Sequence, residues 1–365
     1  MKKKFYGMLA AVLIASCICV PQVKVQAEDV YDDSDWSDSW YDNDVTPIPD
    51  LTNVTIDKTS QTGYAQKNGY FYGFEMPTYK FTLQNTPRML NDYDDGITFS
   101  AESANTKIDV YASLENNVIS LAPDVVGKTT VTITINNKTF QVNINTIGVD
   151  VPNSLLLSTK QKKQITVKGV NGIKWKSSNP SVVSVSQNGT IYAKKTGNAV
   201  LMGTLGDLQL GCAVSVVTPA RKRTVQKAVQ IAKTCTYSQP KRMQEKFYDC
   251  SSLVWKSYHK NGVNFGMAYY APVAADMGKW CVQHKKLVSG GLSQANIQNM
   301  KLNPGDVMFE TGQKNGRYKG IYHVEMITGY IFYGFDGNGK AELGIQWATG
   351  DEKYYPMGQM VGAVK

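Results

Sequence analysis

Histidine is scarce in this sequence: His259, His284 and His323 are the only three in 365 residues. Cysteine is little commoner. Of the six, Cys17 and Cys19 fall in the first twenty residues, leaving Cys212, Cys235, Cys250 and Cys281 for the folded part. Four thiols spread over that length are no disulfide scaffold, and Cys235 and Cys281 are expected either to pair with each other or to be buried. There is no Cys-x-x-Cys pair and no His-Glu-x-x-His segment, so the sequence predicts no metal centre and no cofactor. Beyond the N-terminus no stretch approaches the roughly 18 apolar residues of a transmembrane helix. Residues 28–50 lack basic side chains and carry nine acidic ones, whereas residues 220–365 carry 20 basic against 10 acidic. The net charge of +9 therefore hides two opposite ends. The lysines of the basic end are dispersed, not interleaved with aromatics, which argues against a nucleic-acid surface.

The first residues read as an address. Lys2, Lys3 and Lys4 precede an apolar run from Phe5 to Val20, and Val25-Gln26-Ala27 offers a small-residue cleavage site, so residues 1–27 are predicted to be a secretory signal peptide. Ile14-Ala15-Ser16-Cys17 also has the form of a lipoprotein box, which would anchor the chain through Cys17 instead. Residues 28–50 hold too few aliphatic side chains to repay ordering and are predicted to be a disordered linker. Outside a cell, the basic end would be drawn to anionic polymers such as those of a bacterial wall.

From residue 51 to 218, short alternating strands separated by turn residues predict an all-β region of sandwich type. It reads as two copies. Gly127-Lys-Thr-Thr-Val131-Thr-Ile133 aligns with Gly197-Asn-Ala199-Val-Leu201-Met-Gly203 at an offset of 70. The same offset sets Phe140, Val142 and Ile144 opposite Leu210, Cys212 and Val214, which assigns Cys212 to a core position. Asn188-Gly189 marks a tight hairpin turn. The run Trp175-Lys-Ser-Ser-Asn-Pro180-Ser-Val-Val-Ser-Val185, followed by Asn188-Gly-Thr-Ile191, resembles the bacterial Ig-like domain of group 2, over residues 150–218. Residues 51–149 keep the later strands of that pattern and are read as a second Ig-like sandwich, with Tyr70, Tyr72 and Phe74 as core residues or as a carbohydrate-stacking strip. Such modules usually space or display something else.

Past Thr218-Pro219 the periodicity becomes helical, with Val225, Ala228, Val229 and Ala232 on one face, and a second helix is predicted to begin at Cys250. A thiol at a helix N-terminus meets unpaired N–H groups and the positive end of the dipole, both of which favour thiolate and oxyanion. His259 points away from Cys250 along the same helix, and His284 is expected at a solvated helix end. His323 opens an apolar strand and is the candidate base.

Asp249-Cys250-Ser251-Ser252-Leu253-Val254, Pro304-Gly305-Asp306-Val307 and His323-Val324-Glu325-Met326-Ile327 resemble, in order and spacing, the NlpC-type peptidoglycan endopeptidases, which are papain-like cysteine peptidases. The resemblance implies an α+β domain over residues 220–365 that cuts stem peptides at the bond between D-glutamate and the diamino acid. It implies Cys250 as nucleophile, His323 as base and Gln346 as the third, orienting member. Tyr237, Asp249 and Ser251 would contact substrate, and Glu325, on the face of His323, would raise the imidazole pKa or meet a substrate amine. The family's Gly-Gly loop is replaced by Ser238-Gln-Pro-Lys-Arg242. An N-acetylmuramoyl amidase, or a silent wall-binding module, are the rival expectations.

Overall fold

The computed structural model describes residues 47–67, 74–350 and 354–364. The expected signal peptide, most of the acidic linker, Tyr70 and Tyr72 lie outside them, and nothing is described for the Phe74 side chain. Among the described residues no helix is long and apolar enough to cross a membrane.

Strict alternation builds the first sandwich. Tyr79–Gln84 is buried and exposed at successive positions, as a strand with one face on a core requires. Its sheet runs in the order Thr55–Ile56, Tyr79–Gln84, Val118–Pro123, Val110–Glu115. The other sheet runs Phe74–Glu75, Ser60–Lys67, Lys138–Val149, Gly127–Ile135, Phe99–Ser103. Phe81, Leu114, Ile119, Leu121 and Ile133 fill the space within this sandwich.

The second sandwich repeats the plan. Ser154–Ser158, Leu208–Val217, Gly197–Leu205 and Lys174–Ser177 form one sheet, and Lys162–Gln164, Thr190–Ala193 and Val183–Val185 the other. The offset of 70 holds in the pairing itself: Ile133 stands opposite Phe140, and Gly203 opposite Leu210. Cys212 is wholly buried in this core, and burial pushes its thiol up to about 12.

The C-terminal region is α+β. Thr218 ends the last Ig-like strand and caps helix α1 (Pro219–Thr234), its hydroxyl accepting the Arg221 N–H at 3.2 Å, with proline in the first turn. Helices α2 (Cys250–His259), α3 (Ala274–Gln283) and α4 (Gln294–Gln298) follow. A sheet orders Ala341–Trp347, Ile321–Phe335, Val307–Thr311 and Met360–Gly362, all antiparallel. Successive residues of its strands serve two cores. Val307, Phe309, Val324 and Met326 face α1, α2 and α3. Met308, Ile327, Tyr330 and Phe332 face the other way, onto Ile297 of α4 and onto Val200 and Ala213 of the second sandwich.

That second core makes the sandwich part of the C-terminal region, where the sequence suggested a spacer. Gly211 and Ala213 point outward from the sandwich, between the buried Leu210, Cys212 and Val214. The Asn153 carbonyl accepts the N–H groups of both Ala213 and Phe332 at 3.1 Å. Asn198 Nδ2 donates to the Met300 and Leu302 carbonyls at 3.0 and 2.9 Å. In the first sandwich the positions matching Gly211 and Ala213 are Gln141 and Asn143, both exposed.

The Pro304-Gly305-Asp306 stretch is a fastener between helices and sheet. Arg221 of α1 reaches Asp306 and the Val364 carbonyl at 2.5 Å each, and also bonds the Pro304 carbonyl. The Tyr258 hydroxyl of α2 donates to the Gly305 carbonyl. Gly305 has φ +90°, and a Cβ there would lie 2.8 Å from both Arg221 Nε and the Tyr258 hydroxyl, so only glycine fits. Burial pushes the Asp306 carboxyl up in spite of the guanidinium beside it.

A Cβ on Gly211 would overlap the Phe332 ring. Gly211→Ala is expected to lower the unfolding free energy by about 1–3 kcal/mol through overpacking. Gln141→Ala, at the matching exposed position, is expected to change it by less than about 0.5 kcal/mol, both read from denaturant midpoints.

Candidate active site

Asp249 is the N-cap of α2. Its Oδ1 accepts the Ser252 N–H at 2.7 Å, while Ser252 Oγ accepts the Asp249 N–H at 2.8 Å, a reciprocal capping box. Cys250 is therefore the first helical residue, as its sequence context predicted. The Val324 and Ser251 N–H groups and the Tyr237 hydroxyl lie close enough to its sulfur to pull the thiol pKa down. Tyr237 comes from the short Thr236–Tyr237 strand, pairs in parallel with Phe247–Tyr248, and packs edge-on against Tyr248 at 5.5 Å. Half of Tyr237 remains exposed, at 51%.

The thiol does not behave as the helix dipole alone would have it. Burial pushes the Cys250 pKa up and outweighs the three donors, and the neighbouring Asp249 carboxylate pushes in the same direction. At neutral pH the sulfur is protonated, so its reactivity depends on a base.

His323 stands on the Ile321–Phe335 strand, opposite Glu310, and the N–H of the next residue, Val324, lies near enough to the Cys250 sulfur to pull its pKa down. The strand thus brings the backbone next to His323 near Cys250. His323 Nε2 is 3.3 Å from the Tyr355 hydroxyl, and the two rings stack with 19° between planes. Glu325, two residues on, is 1% exposed. Its Oε1 accepts the Met326 N–H at 2.9 Å, and its Oε2 accepts from Thr349 Oγ1 at 2.5 Å and from the Tyr355 hydroxyl at 3.5 Å. His323 and Glu325 share a face, as period two requires, but a buried carboxylate with these partners is not presented to a substrate amine.

Gln346 is placed elsewhere. It pairs with Gly329, six positions beyond His323 and so about 20 Å along an extended strand. Its Oε1 accepts from Ser154 Oγ of the second sandwich at 2.7 Å. The expected third member is a junction residue. Asp249 and Ser251 also leave the substrate-contact set, because they are 4% and 1% exposed and are engaged with one another and with Arg242. Arg242 Nη1 bonds Asp249 Oδ2 and Ser251 Oγ at 2.9 Å each, Nη2 bonds the Ala271 carbonyl, and the Tyr270 ring lies over the guanidinium at 5.0 Å. The two other histidines are remote from this chemistry: His259 stacks on Trp255 and His284 on Trp280, each one turn away on its own helix. Cys235 and Cys281 are both free thiols, so they are not paired. Among the described residues no group of His, Cys, Asp and Glu comes together that could hold a metal ion.

Sequence reasoning missed Arg242, Tyr355 and Thr349. A clue to Arg242 was available, since a loop that exchanges glycines for Lys241-Arg242 stands a few residues before an acidic cap. Arg242→Ala would leave Asp249 buried without its cation. It is expected to cost about 3–5 kcal/mol, seen as a lower thermal midpoint.

Residues 156–215 match the family of bacterial Ig-like domains, group 2. Among solved structures the chain is similar to invasin, a bacterial integrin-binding protein, at 12% identity over 46% of this chain and 40% of that one, with a TM-score of 0.31. It is similar to domains 5–6 of the S-layer protein SbsC at 18% identity, over 47% of this chain and 99% of that one, with a TM-score of 0.19. A termite-gut xylanase containing a bacterial Ig-like domain shares 23% identity over 18% of each chain, with a TM-score of 0.17. No curated protein matches. The chain thus spans a minor part of invasin and of the xylanase, and the family match stops short of Cys250. The second sandwich is a bacterial Ig-like domain of group 2.

Proposed function

We propose that the C-terminal region is a papain-like cysteine peptidase of the NlpC type, acting on peptidoglycan stem peptides outside the cell. The observation that carries this reading is that the Cys250 sulfur, on the first turn of α2, lies close enough to the N–H of Val324, the neighbour of His323, for that N–H to pull its pKa down. Two of the three ordered sequence motifs, those carrying Cys250 and His323, approach one another there, while the third, Pro304-Gly305-Asp306, ties α1 and α2 to the sheet. A protonated thiol needs a general base, and His323, the neighbour of Val324 on the strand, takes that role in this reading. His323 takes the thiol proton as sulfur attacks the scissile carbonyl carbon, and N–H groups at the start of α2 hold the oxyanion. The C–N bond breaks, the amine leaves with the proton from His323, and a thioester remains. Water then gives a proton to His323 and its oxygen to the acyl carbon, and the thiol is restored with the acid released.

Tyr237, exposed beside the sulfur, is the residue best placed to meet substrate. The bond between D-glutamate and the diamino acid is the expected target by resemblance. The excess of basic residues in 220–365 supports attraction to anionic wall polymers. A silent wall-binding module is the second reading, favoured by the buried thiol and by the inward engagement of Asp249 and Ser251.

Purified peptidoglycan digested with residues 28–365 is expected to release cut stem peptides, identified by mass spectrometry, and Cys250→Ala is expected to release none. Intact stem peptides freed from the glycan would indicate an amidase instead. No release by either protein, across several wall types, would leave the binding module.

A further inference from the structure

We infer that Tyr355, backed by Glu325, is the positioning group of His323, in the place the sequence assigned to Gln346; the inference rests on Cys250 and His323 being the reacting pair. The Tyr355 hydroxyl stands between His323 Nε2 at 3.3 Å and Glu325 Oε2 at 3.5 Å. Its chemistry fixes the direction of each contact. A carboxylate only accepts, so the Tyr355 hydroxyl donates to Glu325 Oε2, as Thr349 Oγ1 does, while the Met326 N–H donates to Oε1. Tyr355 gives its O–H to Glu325 and keeps oxygen lone pairs for an N–H from His323. The ring proton of the neutral imidazole is thereby held on Nε2, and Nδ1 carries the lone pair that can take a proton.

Two further observations support the assignment. Burial pushes the Tyr355 phenol up, so it keeps its proton throughout the range in which a histidine titrates. The tyrosine is also rigidly held: its ring packs edge-on to Trp347 at 4.8 Å, in the core that includes Val200 and Ala213 of the Ig-like domain. Once His323 has taken the thiol proton, the imidazolium meets a carboxylate through one phenol, which favours the charged form. Among the described residues, the ionisable groups that act on the Tyr355 phenol are Glu325, Glu310, which stands opposite His323 on the facing strand, and Cys250 of α2.

The test is the rate of Cys250 alkylation by iodoacetamide against pH, followed by peptide mass spectrometry in residues 28–365. In the unsubstituted protein the rate is expected to rise through the imidazole pKa. Tyr355→Phe keeps the ring packing and removes the hydroxyl; it is expected to lower the plateau by at least about tenfold and to move the inflection to lower pH, with no change in the thermal midpoint. Glu325→Gln keeps the shape and removes the charge, and its inflection is expected to move the same way. If His323→Ala slows alkylation while the profiles of Tyr355→Phe and Glu325→Gln superimpose on that of the unsubstituted protein, the positioning role is overturned and the cysteine–histidine pair stands. If His323→Ala has no effect either, the pair itself falls.

Discussion

The Ile321–Phe335 strand is enclosed on both faces, and the arrangement of the site follows from that enclosure. Val324 and Met326 pack under the helices, Ile327 faces the other way, and a bulge between Ile327 and Gly329 turns Tyr330 and Phe332 onto that second face, against α4 and the Ig-like domain. A strand clamped this way has no freedom to slip, since a shift of one residue would exchange its two faces. Its fixed register keeps the Val324 N–H near the Cys250 sulfur and places His323 and Glu325 on one side. The Pro304-Gly305-Asp306 fastener does the same for the helices, tying Arg221 of α1 and Tyr258 of α2 to the edge of that sheet.

Magnitudes decide what holds the Ig-like domain in place. Burying a Phe side chain such as Phe332 is worth about 1.5–3 kcal/mol. Each hydrogen bond across the junction contributes only about 1 kcal/mol net. Among the described residues, Asn198 Oδ1 and Ser215 Oγ are buried there without a hydrogen-bond partner, and each costs about 1–3 kcal/mol. Polar contacts therefore set the orientation, and apolar burial holds it. A similar contest governs the nucleophile. Burial pushes the Cys250 thiol up, and outweighs the strand N–H of Val324, the helix N–H of Ser251 and the Tyr237 hydroxyl, which pull it down. On the proposed mechanism, that outcome leaves reactivity to the imidazole and to whatever orients it.

Much of this was legible in the chain. The offset of 70 residues gave the strand register of both sandwiches and the buried fate of Cys212, because period two leaves little choice once a core face is identified. The cap-like Asp249 before an apolar helical face located the start of α2 and hence Cys250. Gln346 was misplaced because a motif fixes order along the chain but not register across a sheet, and its strand is aligned so that it meets Gly329. Tyr355 had no local signal at all, since it reaches His323 from a distant segment through tertiary packing. The fused junction did leave a trace: Gly211, Ala213 and Ser215 are small where the other copy has Gln141, Asn143 and Asn145. Outward positions that trade polar side chains for small ones mark a face about to be covered.

The central claim is that Cys250 is activated by His323, and competition among the thiols of one molecule tests it most directly. Residues 28–365 would be treated with iodoacetamide at well below one equivalent near neutral pH, and the label located by peptide mapping. The account predicts label on Cys250 ahead of Cys235, Cys281 and Cys212, with that preference abolished in His323→Ala. Label spread according to exposure alone, or a preference for Cys250 that survives loss of His323, would contradict it.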